Sequence, residues 1–306
     1  MSINMKDQSF GLELEFTGIS RDKAARTIAR TINGNSDYSR THHLDGREVK
    51  DLKGRIWSIC SDASVSGSRW GDGGEFVTPK CDYADIEKVQ ECIRALRKAG
   101  AKVDSSCGLH IHVDASNHNA KSLKNLAFTF KAKQDLIYKA VGAQDRKENR
   151  YCREIDDDLI NRIKKNRRLT MDTLADDWYE TYAPWSNRSE HYNHSRYHAL
   201  NFHSVWYRGT VEFRLFHATL HAGEVRAYLN LCLAMSAAAI NAKRASAEVL
   251  ENGNDKYAMR CWLMRLGFIG DEWATVRKHL LKNLEGNAAW RNDPNTYESY
   301  NARRTA

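Results

Sequence analysis

The stretch FGLELEF at residues 10–16 places two carboxylates, Glu13 and Glu15, in a segment that otherwise reads as a buried apolar strand. Strand side chains alternate between two faces, so positions two apart share one and the two carboxylates sit side by side. Held together and partly desolvated, they repel unless a cation or a shared proton lies between them. A single such pair also fits the solvated face of an edge strand. The constraint comes from recurrence. Ionisable residues two apart return as Asp62 with Ser64 just after RIWSICS, as His110 and His112 in LHIHV, and as Glu212 and Arg214 in TVEFRLFH, while Glu75 stands in GGEFVT. Each alone has an ordinary explanation, such as satisfied core histidines or a same-face ion pair. Together, five otherwise apolar segments would be placing charge on faces where burial without a partner is costly. One sheet face carrying Glu13, Glu15, Asp62, Glu75 and Glu212 would be an oxygen-rich cage for a hard divalent cation. A histidine within it suits manganese better than magnesium.

Periodicity supplies the surroundings of these segments. Strands are expected over Ser9–Thr17, Arg55–Ser61, Gly73–Thr78, Leu109–Val113, Tyr197–Phe202 and Thr210–His217. Helices are expected over Arg21–Ile32, opened by Ser20, over Tyr83–Lys98, closed near Gly100, and over about 119–142 and 156–166. From Glu224 the chain reads as mostly helix, with a polar tail over 291–306 expected to be mobile. Strands come in short groups and not in strict β-α-β order. The fold class is therefore α+β: a mostly antiparallel sheet backed by helices, with residues 1–290 forming one domain.

Composition removes several classes. A hydrophobic share of 42% with only three prolines, and no repeat or low-complexity tract, describes an ordered globular chain of 306 residues. The N-terminal sequence has no apolar signal-peptide core. The longest apolar run, Leu229–Ile240, contains Asn230 and Ser236 and is too short to span a bilayer, so it reads as a buried helix. Seven cysteines with no CxxC pair suggest neither a disulfide framework nor a zinc ribbon and fit a reducing cytoplasm. A notable share of the net charge of +8 lies in Arg146–Arg168, which acidic residues interrupt, so a solvated helical face is expected first and an anionic partner second.

A cation-binding carboxylate face with Arg214 beside it suits phosphoryl chemistry. The chain has no GxxxxGK[ST] loop and no GxGxxG at a strand–helix turn, so a bound nucleotide would have to be held through metals. Two other classes compete. The histidines of EHYNHSRYHALNFH (His191, His194, His198 and His203) have zinc-ligand-like spacings and would suit a metal-dependent hydrolase, though no HExxH is present. The positive charge near Trp178, Tyr179, Tyr182 and Trp185 would suit a nucleic-acid-binding module, which leaves the strand carboxylates unexplained. Cys107 beside His110 could be read as a nucleophile, against which stands their poor relative placement along a strand.

FGLELEF, CGLHIHVD at 107–114 and TVEFRLF at 210–216 resemble, in order, the GxExEF, GxHxH and ExR motifs of the glutamine synthetase-like carboxylate–amine ligases. The branch most similar is that of the amidoligases, themselves similar to glutamate–cysteine ligases. There an Asp-Ser element like Ser61–Ser64 precedes a Glu-x-x-x-Pro element like Glu75–Pro79. The resemblance implies a curved sheet with a glutamine synthetase-like catalytic fold, binding ATP with Mg2+ or Mn2+. It implies metal ligands at Glu13, Glu15, Asp62, Glu75, His110 and Glu212, and places the chemistry on Arg214, Glu75 and His112. His112 and Arg214 would contact the nucleotide phosphates. Such an enzyme joins a carboxylate to an amine, each on a small molecule or peptide, through an acyl phosphate. An acceptor amine on a polymer fits the basic segment. After Leu220 no motif is placed.

Overall fold

Phe10, Leu12, Leu14 and Phe16 share one face of the first strand, β1 (Phe10–Ser20), and all four are buried. The computed structural model describes residues 2–68, 71–249 and 253–291, so the expected tail lies, from residue 292, outside the described residues. Ser20 ends β1, and its hydroxyl accepts the Lys23 N–H to cap α1 (Arg21–Asn33), which Gly34 closes in the left-handed region at φ 73. The following strands are β2 (Ser39–Arg40), β3 (Arg47–Lys50), β4 (Ile56–Cys60) and β5 (Asp72–Val77). Helix α2 (Ile86–Lys98) leads to β6 (Gly108–Asp114) and the long α3 (Ala120–Val141). Two shorter helices, α4 (Asp157–Lys165) and α5 (Met171–Tyr182), precede β7 (Leu200–Asn201), α6 (His203–Arg208) and β8 (Thr210–His217). The chain then runs through α7 (Ala222–Asn241), α8 (Asp255–Arg265) and α9 (Ala274–Leu281).

The eight strands form one open sheet in the order β2-β3-β4-β5-β1-β6-β8-β7, and every named pair is antiparallel. Its apolar face carries Leu12, Leu14, Ile59, Phe76, Leu109, Ile111 and Phe213, all buried. Helices cover that face. Phe130 of α3 meets Phe213 with ring centroids 6.3 Å apart, and Tyr228 of α7 stacks on Phe216 at 4.7 Å. Close approach of β5 to β4 depends on Gly74, where a Cβ would lie 2.4 Å from the Cys60 carbonyl oxygen.

Three expectations are corrected. The strand over Tyr197–Phe202 shortens to Leu200–Asn201, because the Asn201 side chain accepts the His203 N–H and turns the chain into α6. Helix α5 was not foreseen; Thr170 caps it by accepting the Thr173 N–H. The segment Arg146–Arg168 is not one solvated face. Its first part is a short 3-10 turn, Gln144–Lys147, that points Arg146 inward; Arg162, Lys164 and Lys165 are exposed on α4, and Arg150, Arg153, Arg167 and Arg168 are exposed on the segments that flank it. All seven cysteines are unpaired. Among the described residues no helix is long and apolar enough to cross a membrane.

Candidate active site

Register assembles the polar face of the sheet. Across β1 and β5, Glu15 lies opposite Glu75; across β1 and β6, Glu13 lies opposite His110; across β6 and β8, His112 lies opposite Glu212. Directly opposed antiparallel positions hold their Cβ atoms about 4.5–5.5 Å apart, close enough for neighbouring pairs to merge. They do merge. Glu13, His112 and Glu212 bring ligand atoms within 4.8 Å of one another, as do Glu13, Glu75 and His110, and Glu15, Asp62 and Glu75. The three groups overlap through Glu13 and Glu75, so all six expected metal ligands and His112 form one continuous row. Asp62 joins from the loop after β4, where its carboxylate accepts the Ser64 N–H at 2.7 Å and hydroxyl at 2.5 Å.

Imidazoles and carboxylates alternate at close range. His110 Nδ1 lies 3.3 Å from Glu13 Oε2, and His112 Nε2 lies 3.5 Å from Glu13 Oε1 and 3.8 Å from Glu212 Oε1. Thr210 Oγ1 orients His112 through Nδ1 at 3.0 Å. Glu212 is ion-paired with Arg214 and accepts the Asn201 amide at 2.6 Å. Glu15 accepts the Gly108 N–H at 2.5 Å. Among the described residues the carboxylate of Glu75 accepts no hydrogen bond.

The charges divide the row in two. At the Glu212 end, burial would raise both glutamates, but Arg214 and His112 outweigh it and hold Glu212 down at about 2, while His112 and His110 hold Glu13 well below its ordinary value. Burial opposes charge on His112, yet Glu13 and Glu212 raise it. Burial, then Arg214, lowers His110 to about 4. At the other end burial lifts Glu15 to about 7. Glu75 is raised well above its ordinary value by burial and then by Glu13, Glu15 and Asp62. A divalent cation fits there on the protein's own terms: hard oxygen donors, a half-buried carboxylate that accepts no hydrogen bond, and mutual repulsion that a positive charge relieves.

Two arginines escaped sequence reasoning. Arg208, at the end of α6, pairs with Glu13 at 2.8 Å, and its other Nη atom lies 3.2 Å from His191 Nε2. Buried Arg146 approaches the Glu15 end, with Nη2 donating to the Arg214 carbonyl at 3.3 Å. Neither sits in a period-2 segment; the only trace of Arg146 was its membership of the basic stretch.

The competing clusters do not assemble. Among the described residues none of His191, His194, His198 and His203 belongs to an ion-sized group of ligand atoms. His198 stacks on Tyr182 with centroids 3.7 Å apart, and His203 bonds the Tyr179 hydroxyl at 2.7 Å. Trp178 and Tyr179 are buried, and of the four aromatics proposed for base stacking only Trp185 is fully exposed. Cys107 is buried, and burial pushes its thiol up to about 11, far from a thiolate. A further group, His221, Glu224 and His279, lies at the start of α7 and on α9, with Glu224 already held by Lys282 and Thr219. An open cleft of about 370 Å³, lined by Leu52, Lys53, Trp57, Lys88 and Glu91 among others, contains none of the expected site residues.

One face of the open antiparallel sheet thus presents a continuous row of carboxylates and histidines. Residues 6–236 match the family described as "Putative amidoligase enzyme", and the chain belongs to that family. Membership supports a carboxylate–amine ligase in general. No curated protein matches. Among solved structures, a bifunctional glutathione synthetase from Pasteurella multocida is similar at 11% identity and a TM-score of 0.43, over 91% of this chain and 47% of that one. The chain spans about half of that protein's length, and so weak a likeness sets no constraint on the site.

Proposed function

We propose that the protein forms an amide bond between a carboxylate and an amine at the cost of ATP, with Mg2+ or Mn2+ bound along the row from Glu212 to Glu15. The observation that carries this reading is the merging of three ligand groups through Glu13 and Glu75. Residues 1–290 act as one catalytic domain with a glutamine synthetase-like fold.

Glu13, Glu15, Asp62, Glu75, His110 and Glu212 would hold the cations, whose positive charge lets triphosphate and carboxylate approach each other. The side chains do the rest by position. Arg214, fixed by Glu212, presents its planar fork to the phosphoryl group that passes to the substrate carboxylate. His112, whose protonated form Glu13 and Glu212 favour against burial, donates toward a phosphate oxygen through Nε2, a buried atom with no hydrogen-bond partner in the fold. Arg208 flanks the row beside Glu13, near Asn201, His203 and Tyr207. The acyl phosphate so formed has phosphate as its leaving group, and attack by the amine needs no protein nucleophile. A small or peptide-borne amine suffices; nothing along the row favours a polymer.

ADP release measured against a panel of amino acids and amines, with Mg2+ and then with EDTA, tests the proposal. Turnover should require metal and vanish in Glu13→Ala with the fold intact. Unchanged ADP release in that variant would sink it.

A further inference from the structure

Arg146 is 6% exposed, and among the described residues no carboxylate pairs with it. Its Nε is buried without a hydrogen-bond partner, and its one side-chain bond, from Nη2 to the Arg214 carbonyl, is long. Every other guanidinium reaching the row is neutralised: Arg214 by Glu212, Arg208 by Glu13. A permanently charged group kept out of water and unpaired is strongly unfavourable unless a counter-ion occupies the space it faces.

Gly108 marks that space. A Cβ built there would meet His110 Nε2 at 3.2 Å, Arg146 Nη2 at 3.3 Å and Glu15 Oε2 at 3.5 Å, so the three groups converge on a strand position that has no side chain. Glu15 does not neutralise Arg146. Its carboxylate turns instead to the Gly108 N–H, which it accepts at 2.5 Å.

We propose that Arg146 and Gly108 form an oxyanion subsite for inorganic phosphate at the Glu15 end of the row. The choice of phosphate deepens the ligase reading and rests on it; the existence of an anion subsite does not. Carboxylates on both sides exclude a bare anion, so occupancy requires a divalent cation on Glu15, Asp62 and Glu75. A tetrahedral dianion can contact both that cation and the guanidinium.

The test uses the full chain and no nucleotide. Phosphate binding is measured by calorimetry in Mg2+, with acetate as the control anion, for wild type, Arg146→Met and Arg146→Lys, alongside thermal melts. Wild type should bind phosphate only with Mg2+. Arg146→Met should lose at least about tenfold in affinity, and Arg146→Lys less, since it keeps the charge but not the fork. Without ligands Arg146→Met should melt at or above wild type, because an unpaired buried charge has been removed. The inference is overturned by absence of phosphate binding to wild type, by equal affinity in Arg146→Met, by tighter binding of acetate, or by a melting point of Arg146→Met far below wild type. None of these outcomes bears on ADP release, so the subsite and the ligase reading fail separately.

Discussion

The two faces of β1 lie one peptide apart and obey opposite rules. Leu12, Leu14 and Phe16 are sealed beneath helices, and their burial stabilises the fold. On the other face Glu15 meets Asp62 and Glu75, and at Glu15 and Glu75 burial and repulsion favour the protonated acid. One face is optimised for packing. The other holds electrostatic strain that a bound cation would release, the pattern expected where local rules are broken for function.

The sharpest way to break this comparison is to exchange the faces' behaviour. Phe16→Ala should cost about 3–5 kcal/mol of stability in denaturant melts. Glu15→Ala, which removes a carboxylate that the fold holds at about 7, should leave the melting point unchanged or raise it. If both destabilise equally, β1 is a structural strand on both sides and the row is not strained.

A second test sits within the polar face. Arg214→Lys preserves the charge opposite Glu212 and loses the bidentate fork. In a steady-state assay kcat should fall by about 10²–10³-fold, with KM for ATP changed only several-fold. Near-normal turnover would reduce Arg214 to the ion-pair partner of Glu212.

The smallest expected effect is on pH dependence. Glu15 titrates near 7 in the fold against an ordinary 4.5, so the native state keeps a proton that the unfolded chain has released. Stability of the metal-free protein should therefore fall as pH rises from about 4.5 through 7. His112, raised above its ordinary value, adds to the fall, and His110, lowered to about 4, opposes it below pH 6.5. The contribution of Glu15 is the difference between wild type and Glu15→Gln, which should melt with a flatter pH profile. Saturating Mg2+ should restore wild type at high pH. A wild-type curve indistinguishable from that of Glu15→Gln would show that Glu15 is solvated and ionised.

What the sequence made legible follows from the physics of a strand. Period-2 patterns are local, so FGLELEF, LHIHV and TVEFRLFH reveal their polar positions without the partner strands. The order β5-β1-β6-β8 depends on pairings between distant segments, which periodicity does not carry and which the family resemblance did not specify. Arg146 and Arg208 leave no periodic trace, because one sits in a 3-10 turn and the other at the end of a six-residue helix. Helix α5 was obscured by its own aromatics: Trp178 and Tyr179 drew attention as a binding surface and are in fact core. Thr170, three positions before Thr173, was the overlooked start signal.

The register of β1 against β6 has a consequence for how the protein comes into being. A slip of one residue would turn Glu13 and Glu15 toward the helices and Leu12 and Leu14 toward the ligand row, so misaligned pairing is penalised on both sides of the sheet at once. Glu212 follows Glu13 by 199 positions, and at a synthesis rate of about 5–20 residues per second the first carboxylates wait roughly 10–40 s for the last. During that interval β1 can find β5 and β6, but its acidic side has neither Arg214 nor Arg208 to balance it. The emerging chain therefore carries its most awkward charges longest, and a divalent cation captured at that stage would serve assembly before it served catalysis.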